Sequence, residues 1–234
     1  MNERRKKVPF DPYHMQKKVQ DGVVYTSKEV FQQIYKTSHW KGTESASGEG
    51  SGFKETYRLR NELPGILKRF NIDKLIDAPC GDFSWMQHID LPVTSYLGAD
   101  IVPELISVNE KKFSDEQRNF IYLDLIQEPL PAADLLFCRD CLVHFSFTDI
   151  ERFILNLKRS EISYLLTTTF TECTENEDIT TGDWRVLNLE KEPFNLPSPL
   201  YILNEECNEG GGAFKDKSIG LWKIRDIPDP NPYV

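Results

Sequence analysis

Three aspartates recur at one place in a repeating pattern. Asp77, Asp100 and Asp124 each stand at the end of a short apolar run, within Lys74–Ala78, Ser95–Asp100 and Asn119–Asp124. The first run leads into a tight turn, Pro79-Cys80-Gly81-Asp82, with one glycine flanked by two carboxylates. A pyrophosphate site wants three glycines for close backbone approach and no acid beside it. This turn therefore suits a cationic or zwitterionic ligand. An acid at the end of the second run is placed to accept both hydroxyls of a ribose, and Asp124 falls at the height of an adenine edge. Each acid taken alone reads equally well as a helix cap or a solvated loop carboxylate. Three in register favour binding.

A fourth run, Ala133–Arg139, opens into Cys138-Arg139-Asp140-Cys141-Leu142-Val143-His144. A histidine there suits removal of a hydroxyl proton near neutral pH, and Asp140 is either a base itself or the group that orients the imidazole. A lone histidine is as often structural. Asp183 is the third candidate base. It lies in a long polar and aromatic connection after the fifth run, Tyr164–Phe170. That composition suggests a substrate loop, in which Trp184 stacks on a sugar or other ring while Asp183 and Arg185 bind polar groups. A loop anchored by one buried tryptophan explains it equally well.

The elements that must position these residues follow from the same pattern. Five apolar runs alternate with helical segments, notably Pro103–Phe113 and Ser146–Arg159. Near-continuous apolar strands joined by helices mean a parallel sheet covered on both faces. The stretches at 200–204 and 218–224 have no helix between them, so an antiparallel pair closes the sheet. The expected fold is α/β: a Rossmann-like, seven-stranded, mostly parallel sheet with an antiparallel C-terminal strand pair and helices on both faces. A helix is expected from Phe83, carrying His88. Thr26-Ser27-Lys28-Glu29 is a capping box opening a helix to about Thr37. Leu59, Leu63, Ile66, Leu67 and Phe70 stripe another, which Pro64 should kink or interrupt. Residues 1–26 read as a charged arm outside the core. Gly42–Gly52 reads as a flexible linker or, with Trp40, as a lid. The expected division is an arm, helix and lid over 1–52 and one catalytic-type domain over 53–234.

In this order the residues resemble the class I S-adenosylmethionine-dependent methyltransferases, over about residues 74–224. The departure is Pro79-Cys80-Gly81 where that family usually has G-x-G. The resemblance implies S-adenosyl-L-methionine as cofactor. Asp77 and Gly81 would shape the methionine pocket; Pro79, Cys80 and Asp82 would also bind the cofactor, and Trp85 would be core or pocket wall. Asp100 would hold the ribose and Ile101 would contact the cofactor; Asp124 and Leu125 would sit at the adenine; Arg139 would line the pocket. Methyl transfer is an in-line displacement, so the protein supplies alignment and, for a hydroxyl acceptor, a base. The expected activity is O-methylation of a sugar, glycan or small-molecule hydroxyl. The alternative is a non-catalytic cofactor- or partner-binding module, and the missing glycines disfavour a nicotinamide dehydrogenase.

Composition sets the remaining bounds. The 234 residues suffice for one sizeable core and not for two. A net charge of −9 argues against nucleic acid as the main partner, although the basic arm could touch one locally. Hydrophobic residues at 39% exclude a disordered chain. No apolar run approaches the roughly 20 residues of a membrane helix, and no apolar core follows the basic start, so a soluble, cytoplasmic protein is expected. Cys138 and Cys141 form a C-x-x-C without a second pair, and the five cysteines are scattered. They read as buried small hydrophobes, with no metal expected. No motif speaks to oligomeric state.

Overall fold

The computed structural model describes residues 3–20, 22, 24–40 and 42–230. The N-terminal part holds α1 (His14–Gln20), α2 (Ser27–Lys36) and α3 (Tyr57–Arg69). Then come β1 (Lys74–Asp77), β2 (Ser95–Asp100), α4 (Pro103–Phe113), β3 (Arg118–Tyr122), β4 (Leu135–Cys138), α5 (Phe147–Lys158), β5 (Tyr164–Phe170), β6 (Tyr201–Asn204) and β7 (Lys217–Lys223). The strands form one sheet in the order β3-β2-β1-β4-β5-β7-β6. Only β7 runs against its neighbours, between β5 and β6. The expected seven-stranded architecture is present. Strand order reverses between β1 and β4, and such a switch point opens a crevice at the carboxyl ends of the strands.

Burial explains why the strands read as apolar runs. All four residues of β4 are buried, because both faces are covered. Leu59, Leu63 and Ile66 of α3 pack with Leu75, Leu135 and Leu221 on one face. On the other, Ile150, Phe153 and Leu157 of α5 pack with Ile76, Leu136 and Trp222. The capping box at Thr26 forms in both directions: the Glu29 amide donates to Thr26 Oγ1 (3.3 Å) and the Thr26 amide to Glu29 Oε2 (2.8 Å). All five cysteines are buried free thiols. No helix among the described residues is long and apolar enough to cross a membrane.

Three local expectations are corrected. Pro64 does not break α3, which runs through it, because Leu63, Ile66 and Leu67 anchor both halves to the sheet. No α-helix starts at Phe83. Its backbone turns left-handed (φ +57°) so that its ring can enter the cluster of Tyr96, Phe113 and Phe120, and only a 3-10 turn, Met86–His88, follows. The arm is not outside the core. Arg5 and Met15 are buried, and the Arg5 guanidinium donates to the Pro12 carbonyl (2.9 Å) and to Glu177 (3.1 Å).

Candidate functional site

One cavity opens at the carboxyl edge of β1, β2 and β4 and encloses roughly 1150 Å³, mouth included. Asp77, Asp100, Asp124 and Arg139 all line it. Pro79, Cys80, Gly81 and Asp82 line it from the turn, and Trp85, Ile101 and Leu125 complete the set expected around a cofactor. Asp77 accepts the Tyr96 hydroxyl, and burial pushes its carboxyl up to about 7. Asp100 is gripped by the amides of Val102 (2.9 Å) and Gly81 (3.1 Å), with burial pushing it up to about 6. Asp124 accepts from the Ile126 amide (2.9 Å) and Gln127 Nε2 (2.9 Å), so it caps its own turn and faces the cavity as well. Gly81 is required twice over. Its φ is +55°, and a Cβ there would stand 2.2 Å from Ser47 Oγ.

That close approach comes from the segment over 42–52, which lies across the crevice. Asp82 accepts from Ser45 Oγ (2.9 Å) and the Ala46 amide (2.8 Å), while Arg139 donates to the Gly50 carbonyl (2.9 Å). Farther out, Gln32 and Lys36 of α2 hold Glu104 of α4 at 3.1 and 3.3 Å. This glycine-rich stretch is therefore held to both the turn after β1 and the end of β4. A second, smaller cavity lies beside the first, and Trp40, Ser47, Asp140 and His144 belong to both walls.

The shared wall carries the two candidate bases. His144 Nδ1 lies 2.8 Å from the Asp183 carbonyl, which can only accept. Nδ1 therefore keeps the proton and Nε2 keeps the lone pair. Burial lowers the imidazole to about 4, so it is neutral at pH 7. Asp140 is differently placed, at φ +51°, with its amide on Thr168 Oγ1 (2.8 Å). Its Oδ2 meets Lys217 Nζ at 2.6 Å and Arg139 Nη1 at 3.2 Å. Burial alone would raise this carboxyl, yet the two cations override it and hold it at about 2. Arg139 also donates from Nε (3.0 Å) and Nη2 (2.7 Å) to Glu205, which is 3% exposed. Lys217 and Glu205 were not foreseen. The available signal was a charge at the head of the apolar strand β7 and another just past β6.

The long connection after β5 corrects two site expectations. Asp183 lines neither cavity. Its carboxylate accepts the Met15 (2.7 Å) and Gln16 (3.2 Å) amides and faces Arg5 at 3.6 Å, so it fixes the start of α1. Arg185 also lies outside both linings, donating to the carbonyls of Leu142 (2.8 Å), Phe145 (2.8 Å) and Glu177 (3.1 Å). Its work is to hold the turn that carries His144. Both are buried, and a buried charge must find backbone partners. Trp184 does line the second cavity, edge-on to Phe214 at 5.1 Å.

No protein-family model matches the sequence, and no curated protein does. Solved structures do. The N-methyltransferase NodS from Bradyrhizobium japonicum WM9, crystallised with S-adenosyl-L-homocysteine, aligns over 82% of this chain and 97% of its own at TM-score 0.59 and 10% identity. The [4+2]-cyclase SpnF aligns over 86% and 97% at TM-score 0.59 and 14% identity. Human N-acetylserotonin methyltransferase, in complex with S-adenosylmethionine, aligns over 85% of this chain at TM-score 0.51 and 14% identity. The fold is that of the class I methyltransferases. This chain spans 60% of the human enzyme's length. A cyclase on the same methyltransferase fold means that activity has to be argued from the site.

Proposed function

We propose that the chain is an S-adenosylmethionine-dependent methyltransferase acting on a hydroxyl of a sugar, glycan or small molecule. The observation that carries this reading is the pair of cavities with His144 in their common wall. The first cavity fits the cofactor. Gly81 leaves a cradle that any Cβ would fill, and buried carboxyls wait at the ends of β1 and β2. Asp77 and Gly81 would hold the amino-acid end, Asp100 the ribose, and Asp124 with Leu125 the adenine. When bound, the cofactor supplies an electrophilic sulfonium methyl. The lid excludes water from that crevice, and His144 Nε2 takes the acceptor proton. Asp140, paired with two cations, anchors the wall rather than moving a proton. The likeness to a [4+2]-cyclase supports a second reading, a cofactor- or partner-binding module on this fold that transfers no methyl group.

Asp100→Ala is expected to weaken S-adenosylhomocysteine binding. Hydrogen bonds to a charged group are worth about 1.5–3 kcal/mol, which is roughly a ten- to hundredfold rise in Kd. Unchanged affinity by calorimetry would remove Asp100 from the ribose site.

A proton-linked effect is expected at Asp77. Its folded pKa, about 7, exceeds the ordinary carboxylate value, so in the ligand-free fold it holds a proton that the unfolded chain releases near pH 4. The stability this contributes is present below about pH 4 and is lost as pH rises to 7, on the order of 4 kcal/mol. A cation bound against Asp77 reverses the preference and expels the proton. Calorimetry at pH 6 in buffers of different ionisation enthalpy should therefore detect proton release on S-adenosylmethionine binding. Equal heats in all buffers would place the cationic end elsewhere.

A further inference from the structure

The second cavity has its own chemistry, and we infer that it takes a sugar-sized ring carrying a protonated amine; this rests on the methyltransferase reading above. It encloses roughly 550 Å³, mouth included, and adjoins the cofactor cavity at Trp40, Ser47, Asp140 and His144. Its walls are aromatic: Phe10, Trp40, Phe170, Trp184 and Phe214. Ring faces of this kind cover the C–H faces of a sugar and attract a cation. The Trp40 indole Nε1 is buried with no partner among the described residues, a donor left for a ligand oxygen.

Charge decides the class of ring. The lining holds Glu49, Asp140, Glu209 and one cation, Lys217. Lys217 is occupied by Asp140 at 2.6 Å. Glu209 accepts from the Cys207 thiol (3.4 Å) and feels Arg139 and Lys217 only at longer range, and neither Glu209 nor Glu49 lies within ion-pair distance of a cation among the described residues. A Cβ on Gly50 of the lid would stand 3.2 Å from Glu209 and 3.5 Å from Asp140, so the two acids converge on one point of the wall. Lys7 packs its stem beside Gly210, but it is exposed and outside the lining, where solvent screens it. A phosphorylated or carboxylated acceptor would meet Glu209 beside Asp140, and no lining cation without an ion pair among the described residues. An amine meets both carboxylates and the aromatic walls. In the transfer, the acceptor O–H proton passes to His144 Nε2 and the oxygen–methyl bond forms as the sulfur–methyl bond breaks. The sulfur keeps that electron pair.

The test offers glucosamine, N-acetylglucosamine, glucose and glucuronate as acceptors with radiolabelled S-adenosylmethionine, beside calorimetry with S-adenosylhomocysteine. Glucosamine should be methylated with a kcat/KM about tenfold or more above the two neutral rings, and glucuronate least. The preference for glucosamine over glucose should shrink about two- to fivefold in Glu209→Gln, the scale of one partly exposed charge pair. A neutral or anionic ring preferred, a ratio unmoved by Glu209→Gln, or cofactor binding without transfer to any of the four overturns the amine. Failure of S-adenosylhomocysteine to bind would instead overturn the methyltransferase reading itself.

Discussion

Arg139→Met should lower the stability of the fold by about 3–5 kcal/mol, the cost of leaving a buried charge without its partner. The loss concentrates on Glu205. Its side chain is 1% exposed, Oε1 has no partner among the described residues, and Arg139 supplies both bonds to Oε2. Lys217 stands 4.0 Å away, too far to replace them. Asp140 suffers less, because it keeps Lys217 at 2.6 Å. The lid loses its bond at Gly50 too. For a chain of this size the loss corresponds to a fall in melting temperature of roughly 10 °C. The discriminating variant is Arg139→Met with Glu205→Leu. An apolar pair of similar volume removes the orphaned charge, and well-packed replacements of buried ion pairs are often neutral. The double variant should therefore recover most of the melting temperature. A single variant within about 1 kcal/mol of the parent, or a double one worse than the single, would mean the pair is hydrated rather than buried.

How much of this site was legible follows from how its parts are encoded. The strands and the acids at their tips were readable, since a two-face-buried strand is a continuous apolar run and its end is marked by the first charge. Asp77, Asp100 and Asp124 therefore fell in place from local pattern alone. Residues whose partners are remote were not readable. Lys217 meets Asp140 across the sheet, and β7 is inserted between β5 and β6 only by the antiparallel closure. Asp183 and Arg185 were misread for one reason: polar residues in a long connection suggest solvent and ligand. The aromatic neighbours instead place that segment in the core, where Val186 and Leu187 are fully buried in one cluster with Trp184 and Phe214. Phe83 failed in the same way, as its ring found the core at the expense of a helical backbone.

His144→Gln is expected to cut turnover about 10²- to 10⁴-fold while leaving cofactor affinity nearly unchanged, the range for loss of a general base. The pH profile identifies the group. An ordinary histidine base gives a rate rising through about pH 6–7. Burial has moved His144 to about 4, so the rate should be flat from pH 6 to 8 and fall only on approach to that value. The same shift has a stability consequence. The folded pKa lies below the unfolded one, so the unfolded chain takes up the proton first as pH falls. The contribution is present above about pH 6.5 and is lost as pH drops to 4, on the order of 3 kcal/mol. His144→Gln should flatten that part of the acid limb as well as the rate. Asp140→Asn separates the neighbours. Held at about 2 by Arg139 and Lys217, Asp140 is a poorer proton acceptor, and its loss should show first as a lower melting temperature. If the two act as a unit, the double variant is little worse than His144→Gln alone. Full turnover in His144→Gln would take the base from this histidine, and Asp183 could not inherit it. Its carboxylate is occupied by the Met15 and Gln16 amides, and only its carbonyl reaches the imidazole.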